Sequence, residues 1–509
     1  VTQHLGAPST LVVEKGATVK TGQLIAKSDS FICANVHSSV SGKVTKIDVA
    51  TDTSGYKKLS VFIDVEGDEW EESIDRSTNI VSECKLSQSE IIEKIKEMGI
   101  VGLGGATFPT HVKLMVPKGK TAEVLIINGV ECEPYLTSDH RVMLERGEEM
   151  MIGISILMKG LGVERAIVGI ENNKPDAIEH LKNLSNKFKG IEIQALKVKY
   201  PQGAEKQLIK ALINREVPSG KLPIEVGCVV SNAGTALAVY EAVQKNKPLI
   251  ERVVTVTGKS VKKPCNLLVR IGTSVSELIE KAGGLPEDTG KVISGGPMMG
   301  KLIDEANYAV KKTTKSILVL PSDNIVIIQK VRSKANQVKR AQAICLSCRM
   351  CTDLCPRYLL GHSLFPDELM KKMYKGTLND DELERFSFSY LCCDCGVCEL
   401  FSCPVDLSPR SLLNYIKEKI PIVNYVNDRN DADIYILFTS EKTGSGGYER
   451  TAIFFGQKLF EGKNDTLKFS SLPNESENIT RNKTVEILKL GLVNYLSKSQ
   501  IADKILITF

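Results

Sequence analysis

Cys345-Leu-Ser-Cys348-Arg-Met-Cys351-Thr-Asp-Leu-Cys355-Pro356, answered further on by Cys392-Cys393-Asp-Cys395-Gly-Val-Cys398-Glu-Leu-Phe-Ser-Cys403-Pro404, decides what kind of chain this is. The first run has the C-x2-C-x2-C-x3-C-P spacing that holds a [4Fe–4S] cluster, and the second has one extra residue before its last cysteine. Three thiolates spaced by two residues wrap one face of a cubane. The remote fourth, followed by proline, ligates the other cluster in two-cluster ferredoxins. The spacing therefore predicts two clusters: Cys345, Cys348 and Cys351 completed by Cys403, and Cys392, Cys395 and Cys398 completed by Cys355. Cys393 is spare, since a register using it spoils the spacing. Structural zinc also takes C-x2-C pairs, but as two pairs; each run here has three cysteines at double spacing plus a Cys-Pro. Disulfides are disfavoured, because no stretch reads as a signal peptide and a chain of this size needs no staples. Of the 14 cysteines, the five outside these runs (Cys33, Cys84, Cys132, Cys228, Cys265) are expected to be buried small hydrophobes.

Just upstream of the first run, Lys330–Arg340 reads as a basic helix leading into it, and Ser316–Leu320 and Ile325–Gln329 read as two strands before that. His362, after the first run, could tune the cluster through a hydrogen bond, but a place at the surface is the preferred expectation. Upstream, Val253–Thr257, Leu267–Ile271 and a helix Val275–Ala282 form a small module. Before that lies an alternation of strands and helices: a strand Val124–Ile127, a helix near 139–160, a strand Ala166–Ile170, a helix at 174–185 and a strand Ile191–Val198. This rhythm argues for a parallel sheet. A capping box, Ser87-x-x-Glu90, starts a helix that stops at Gly99. The loop Gly102-Leu-Gly104-Gly105-Ala-Thr-Phe-Pro-Thr-His-Val-Lys113 then lets backbone approach a planar or phosphorylated ligand. Asn128, Glu131 and Glu133 follow the first strand, at the carboxyl end where open α/β sheets bind ligands. For the two glutamates the competing expectation is a solvated strand end. Residues 1–75 read as short strands with Gly16, Gly22 and Gly42 in the turns, resembling a lipoyl-type or barrel-sandwich hybrid module without a lipoyl lysine. His37 there is expected to pack rather than to ligate.

The 509 residues allow about three to five domains, and 42% hydrophobic residues suffice for real cores. With 66 basic and 61 acidic residues, a net charge of +5 gives no polyelectrolyte signal for nucleic acid. No apolar run approaches the ~18 residues of a membrane span. The sequence opens at Val1 without a methionine and reads as a possible fragment; reduced cysteine clusters point to the cytoplasm.

The order Gly-x-Gly-Gly-Ala-x-Phe-Pro-x-His-Val-Lys, Asn-Gly-Val-Glu-Cys-Glu-Pro, Ser-Gly-Gly-Pro-Met-Met-Gly (294–300) and two cysteine runs resembles the RnfC family of the Rnf electron-transport complex, relatives of the flavin- and NADH-binding subunit of respiratory complex I. Within it, residues 355–362 and 403–410 look closer to the cobalamin reductase of propanediol-utilisation microcompartments. The resemblance implies FMN on the loop of Gly102, Gly104 and Gly105, with Lys113 near its phosphate or ribityl chain. Asn128, Glu131 and Glu133 would line the flavin and nicotinamide pocket, and Asn232 would contact the flavin. The family's Gly-Glu-Glu appears only as Gly203-Ala204-Glu205, which alters the NADH contacts around Glu205.

The implied architecture is multidomain α/β: a barrel-sandwich module (1–75), an FMN/NADH-binding Rossmann-like domain (76–250), a β-grasp SLBB domain (251–310), a connector (311–335), a helical two-cluster ferredoxin domain (336–420) and an unassigned β-rich tail (421–509). In the tail, Ile434–Thr439 and Ala452–Phe455 read as strands, 444–447 as a turn and Val485–Leu496 as a helix. The implied activity passes electrons from NADH through FMN and two [4Fe–4S] clusters to an acceptor, first a cobalamin, with dehydratase-reactivation or microcompartment proteins as partners. The alternatives are the soluble NADH-input subunit of the membrane Rnf complex, peripheral on the inner face of the membrane, and a non-catalytic relay adapter.

Overall fold

Short alternating stretches build the first module as two three-stranded antiparallel sheets. One pairs β1 (Thr10–Leu11), β3 (Leu24–Lys27) and β4 (Val36–His37); the other pairs β2 (Thr18–Val19), β5 (Gly42–Thr51) and β6 (Lys57–Val65). Val19, Ile25, Ala26, Val36 and Val44 form one core, giving the expected sandwich. The computed structural model describes residues 1–51, 57–285, 290–303, 308–372, 387–419, 434–442, 448–455, 465–470 and 505–507. They divide into two units, the first comprising Val1–Pro218, Leu222–Ser333 and Asp394–Leu400, the second Ser219–Lys221, Lys334–Cys393 and the chain from Phe401.

Helix α1 (Gln88–Glu97) starts as its capping box requires: Ser87 accepts from the Glu90 N–H, and the Glu90 carboxylate accepts from the Ser87 N–H at 2.7 Å. The α/β domain that follows is a four-stranded parallel sheet in the order β10 (Cys228–Asn232), β7 (Val124–Asn128), β8 (Ala166–Glu171), β9 (Ile191–Leu196). Because side chains alternate along a strand, Leu125 and Ile127 enter the core on one face, whereas Val124 and Ile126 enter the core on the other. Each buried Ile or Leu contributes about 1.5–3 kcal/mol. Helices α2 (Thr110–Leu114), α3 (Ser138–Glu145), α4 (Gly147–Leu161), α5 (Pro175–Ser185), α6 (Glu205–Ile213) and α7 (Ala233–Lys245) connect or cover the sheet. The single helix expected near 139–160 is two, because Arg146 leaves helical geometry (φ −127°, ψ 29°) and turns its guanidinium to Glu149 and Glu241.

The β-grasp module is a mixed sheet, β12 (Cys265–Arg270), β11 (Glu251–Thr257), β15 (Ser316–Leu320), β13 (Lys291–Ser294), β14 (Lys301–Ile303), with α8 (Val275–Lys281). The strand assigned to the connector is thus its middle strand, parallel to β11. The second expected strand is instead helix α9 (Ile325–Lys330), since the Asn324 side chain accepts from the Val326 N–H and caps a β-branched run that by propensity reads as a strand.

In the second unit, α10 (Lys334–Ile344), α11 (Met350–Asp353), α12 (Pro356–Leu359) and α13 (Pro366–Lys372) precede the second cysteine run. Helix α14 (Val397–Leu400) groups with the first unit. Helix α15 (Pro409–Lys419) closes a core containing Ala341, Leu364, Leu369, Phe388, Leu412 and Ile416. In the tail, β16 (Ile434–Lys442), β17 (Tyr448–Phe455), β18 (Asp465–Ser470) and β19 (Ile505–Ile507) form a sheet in the order β18-β17-β16-β19. The expected turn at 444–447 and helix at Val485–Leu496 lie outside the described residues.

Candidate functional site

Parallel pairing of β7 with β10 sets Asn128 opposite Asn232, each the last residue of its strand. Asn232 caps α7 by accepting from the Gly234 N–H at 3.0 Å, and its amide nitrogen donates to the Asn128 carbonyl at 3.1 Å and to Asp139 at 2.8 Å. Asn128 in turn accepts from the Val130 N–H at 3.1 Å and donates to the Gly203 carbonyl at 2.8 Å. The glycine loop lies across these strand ends. Its neck is closed by the Gly102 N–H on the Phe108 carbonyl at 2.9 Å, and Gly104 and Gly105 are exposed. A Cβ at Gly104 would sit 2.9 Å from Asn232 Cγ and Nδ2, so only glycine lets the loop rest there. Lys113, on α2, donates to the Val230 carbonyl at 3.0 Å and lies 3.8 Å from the Glu205 carboxylate. Bare glycine backbone, two amides and a lysine on one rim fit a planar, phosphorylated group such as FMN.

The two glutamates after β7 are neither solvated nor free. Glu131 has a fully buried side chain. It accepts from Ser138 Oγ at 3.0 Å and from the N–H groups of Asp139 at 3.0 Å and His140 at 3.2 Å, capping α3. Lys315 Nζ stands 3.4 Å from it and 2.7 Å from Asp139 Oδ2. Burial lowers the Lys315 pKa, but Asp139 and Glu131 outweigh it and hold the ammonium above its ordinary value. Glu133 Oε1 accepts from the N–H groups of Met298 at 2.8 Å and Met299 at 2.9 Å. Its Oε2 lies 3.0 Å from the Tyr200 hydroxyl, which is also 2.7 Å from the Cys395 carbonyl. Burial raises the Glu133 pKa despite those donors. The sequence contains no local signal for Asp139, Tyr200, Arg252 or Lys315, because each meets the site through the fold.

Among the cysteines, burial first, then Asp367 and the thiols of Cys345, Cys403 and Cys348, push Cys351 up to about 12. That neighbour set is the foursome expected for the first cluster, and four soft thiols suit iron–sulfur ligation. Cys355 is buried, accepts from the backbone of Tyr358 and Arg357, and lies in the field of Cys393, the cysteine set aside on spacing. Cys392 falls in the second unit, and Cys395 and Cys398 group with the first. Among the described residues no three His, Cys, Asp or Glu are drawn together tightly enough to hold a metal ion as they stand. Of the scattered cysteines, Cys33 and Cys228 are buried as expected, while Cys84, Cys132 and Cys265 are only partly so. His362 is not at the surface: it is buried, with Nδ1 2.7 Å from Ser219 Oγ.

Four family descriptions match successive parts of the chain: an RnfC barrel sandwich hybrid domain over residues 1–68, a Nuo51 FMN-binding domain over 95–241, an SLBB domain over 253–302 and a 4Fe-4S dicluster domain over 344–408. The chain is 47% identical over 362 residues to the C subunit of a proton-translocating ferredoxin:NAD(+) oxidoreductase complex of Clostridium ljungdahlii, covering 70% of this chain and 75% of that one. It is 41% identical to the C subunit of the Na(+)-translocating complex of Acetobacterium woodii, covering 70% and 77%. It is also 39% identical to the C subunit of the ion-translocating oxidoreductase complex of Rhodobacter capsulatus, covering 74% and 69%. The expected closeness to a cobalamin reductase has no counterpart among these relatives.

Proposed function

The chain belongs to the RnfC family, the C subunits of ion-translocating ferredoxin:NAD(+) oxidoreductase complexes, and from that premise we propose that it passes electrons between NADH and the rest of such a complex. The FMN-binding and dicluster matches make it a flavin and iron–sulfur electron-transfer subunit. The observation that carries this proposal is the meeting of Gly104, Asn128 and Asn232 at the carboxyl ends of two adjacent parallel strands. When bound, FMN supplies the change from hydride to single-electron chemistry, and iron–sulfur clusters carry the electrons onward.

The chain's own residues bind and orient. Gly104 and Gly105 leave room for a ring system, and the Asn128–Asn232 pair fixes the rim. Lys113 offers a cation to a phosphate, with Glu205 beside it. Cys345, Cys348, Cys351 and Cys403 would hold one cluster; Cys355, Cys392, Cys395 and Cys398 would hold a second. The relatives are C subunits of ion-translocating complexes, so the acceptor we favour is another subunit of such a complex in place of a cobalamin. Among the described residues no helix is long and apolar enough to cross a membrane.

The test is an anaerobic NADH titration of cluster-reconstituted protein, following flavin absorbance and low-temperature EPR together. Flavin bleaching followed by reduced-cluster signals is expected. Clusters that dithionite reduces and NADH does not, with no bound flavin, would leave the relay adapter instead.

A further inference from the structure

The β-grasp module sends two cations into the α/β domain, a buried Arg252 at the base of the glycine loop and a partly buried Lys315 beside Asp139. Arg252, on β11, is buried; its Nη2 donates to the Leu103 carbonyl at 3.2 Å and its Nη1 to the Lys312 carbonyl. Leu103 sits inside the glycine loop, and its N–H donates to Thr235 Oγ1 at 2.9 Å. Both backbone polar groups of Leu103 are thus spent inward, and the exposed Gly104 and Gly105 follow directly in the chain. Lys315, just before β15, bonds Asp139 Oδ2, the same oxygen that accepts from the Asn232 amide. A line of contacts therefore runs from Lys315 through Asp139 to Asn232, against which Gly104 rests.

The charges balance. Arg252 and Lys315 face Asp139 and Glu131, two cations against two carboxylates in a region where each is at most 17% exposed. Burial pulls the Arg252 pKa down to about 10, with Asp139 and Glu131 opposing, so it stays charged at neutral pH. A buried ion pair is weak evidence for stability as such, because desolvation offsets much of the attraction. What these contacts do fix is geometry: the planar guanidinium holds the Leu103 and Lys312 carbonyls at the set spacing and angle of its fork, whereas an ammonium on a flexible stem imposes no such plane.

We propose that the β-grasp module completes the flavin site, with Arg252 and Lys315 as positioning residues that hold Leu103 and Asn232 where FMN requires them. This rests on the flavin reading above. The alternative is that the same cations only cement two modules together.

The experiment uses the full chain with clusters loaded and flavin removed, titrated with FMN while its fluorescence is followed. Arg252→Lys keeps the charge and loses the fork; Lys315→Met removes the cation that faces Asp139. Both are expected to raise the FMN Kd at least tenfold, and Lys315→Arg to return it to within threefold of wild type. Melting temperatures are measured alongside. An unchanged Kd in Arg252→Lys and Lys315→Met, whatever their melting temperatures, overturns the proposal. If Lys315→Met does not fold, Arg252→Lys decides alone. A wild-type chain that binds no FMN sinks the flavin reading and this inference together, whereas equal binding by wild type and variants sinks only the inference.

Discussion

Replacing Glu131 with alanine separates a structural from a ligand-lining role for this carboxylate. The substitution strips the α3 start of an acceptor for two N–H groups and a hydroxyl, and leaves Lys315 with Asp139 alone. Losing a helix cap costs about 0.5–2 kcal/mol. Removing one partner of a buried ion pair costs about 3–5 kcal/mol. The two overlap, and Asp139 still answers Lys315, so about 4 kcal/mol is the expected total. At about 2–4 °C per kcal/mol for a domain of about 150–250 residues, the domain should melt about 10 °C lower by calorimetry. Glu131→Gln keeps an acceptor but not the charge and should lose about half as much. If Glu131→Ala melts within about 2 °C of wild type while NADH no longer bleaches the flavin, the carboxylate serves the ligand and the capping argument is wrong.

Four further outcomes follow from the structure. Gly296→Ala would place a Cβ 2.0 Å from Glu133 Cγ, so Glu133 must leave the N–H groups of Met298 and Met299; a loss of about 1–3 kcal/mol is expected, and an unshifted denaturation midpoint would show that the turn gives way freely. Cys348→Ala should abolish one of two cluster EPR signals and about half the bound iron in a dicluster domain; both signals at full occupancy would refute the ligand assignment. Tyr200→Phe removes the hydroxyl beside the Cys395 carbonyl, and the amides of 395–400 should exchange about tenfold faster, the equivalent of one hydrogen bond; unchanged exchange would mean the bridge holds nothing. Burial, then the charge of Lys312, depress His37 to about 3, against about 6.5 unfolded. The unfolded chain therefore binds a proton the fold refuses, so stability is complete above about pH 6.5 and declines as pH falls toward 3. His37→Gln should flatten part of that slope in melts between pH 7.5 and 5; His4 and His111, also lowered by burial, share it, and Lys312, drawn down to about 7 by burial, adds to its upper end. An identical slope in the variant would remove His37 from the account.

Features set by neighbours in the chain were legible without coordinates. Capping at Ser87 needs only Glu90 three residues on, the βαβ rhythm needs only the strand and helix periods, and cluster spacing is a local property of each cysteine run. The site was legible as far as strand ends are: Asn128 and Asn232 close their strands, and parallel pairing places them side by side. Where a reading failed, a long-range or capping term outweighed the local one. Ile325–Lys330 is β-branched and reads as a strand, yet one Asn324 cap makes it a helix. Glu131 and Glu133 read as polar ends, yet the first is committed to α3 and Lys315 and the second to a turn at 298–299. Arg252 and Lys315 carry no motif, because a cation's partner is chosen by which module packs over it. Sequence alone determined the modules and the chemistry they can hold; tertiary structure decided which charged groups remain for a ligand, since burial makes every unpaired charge costly and so assigns most of them to one another first.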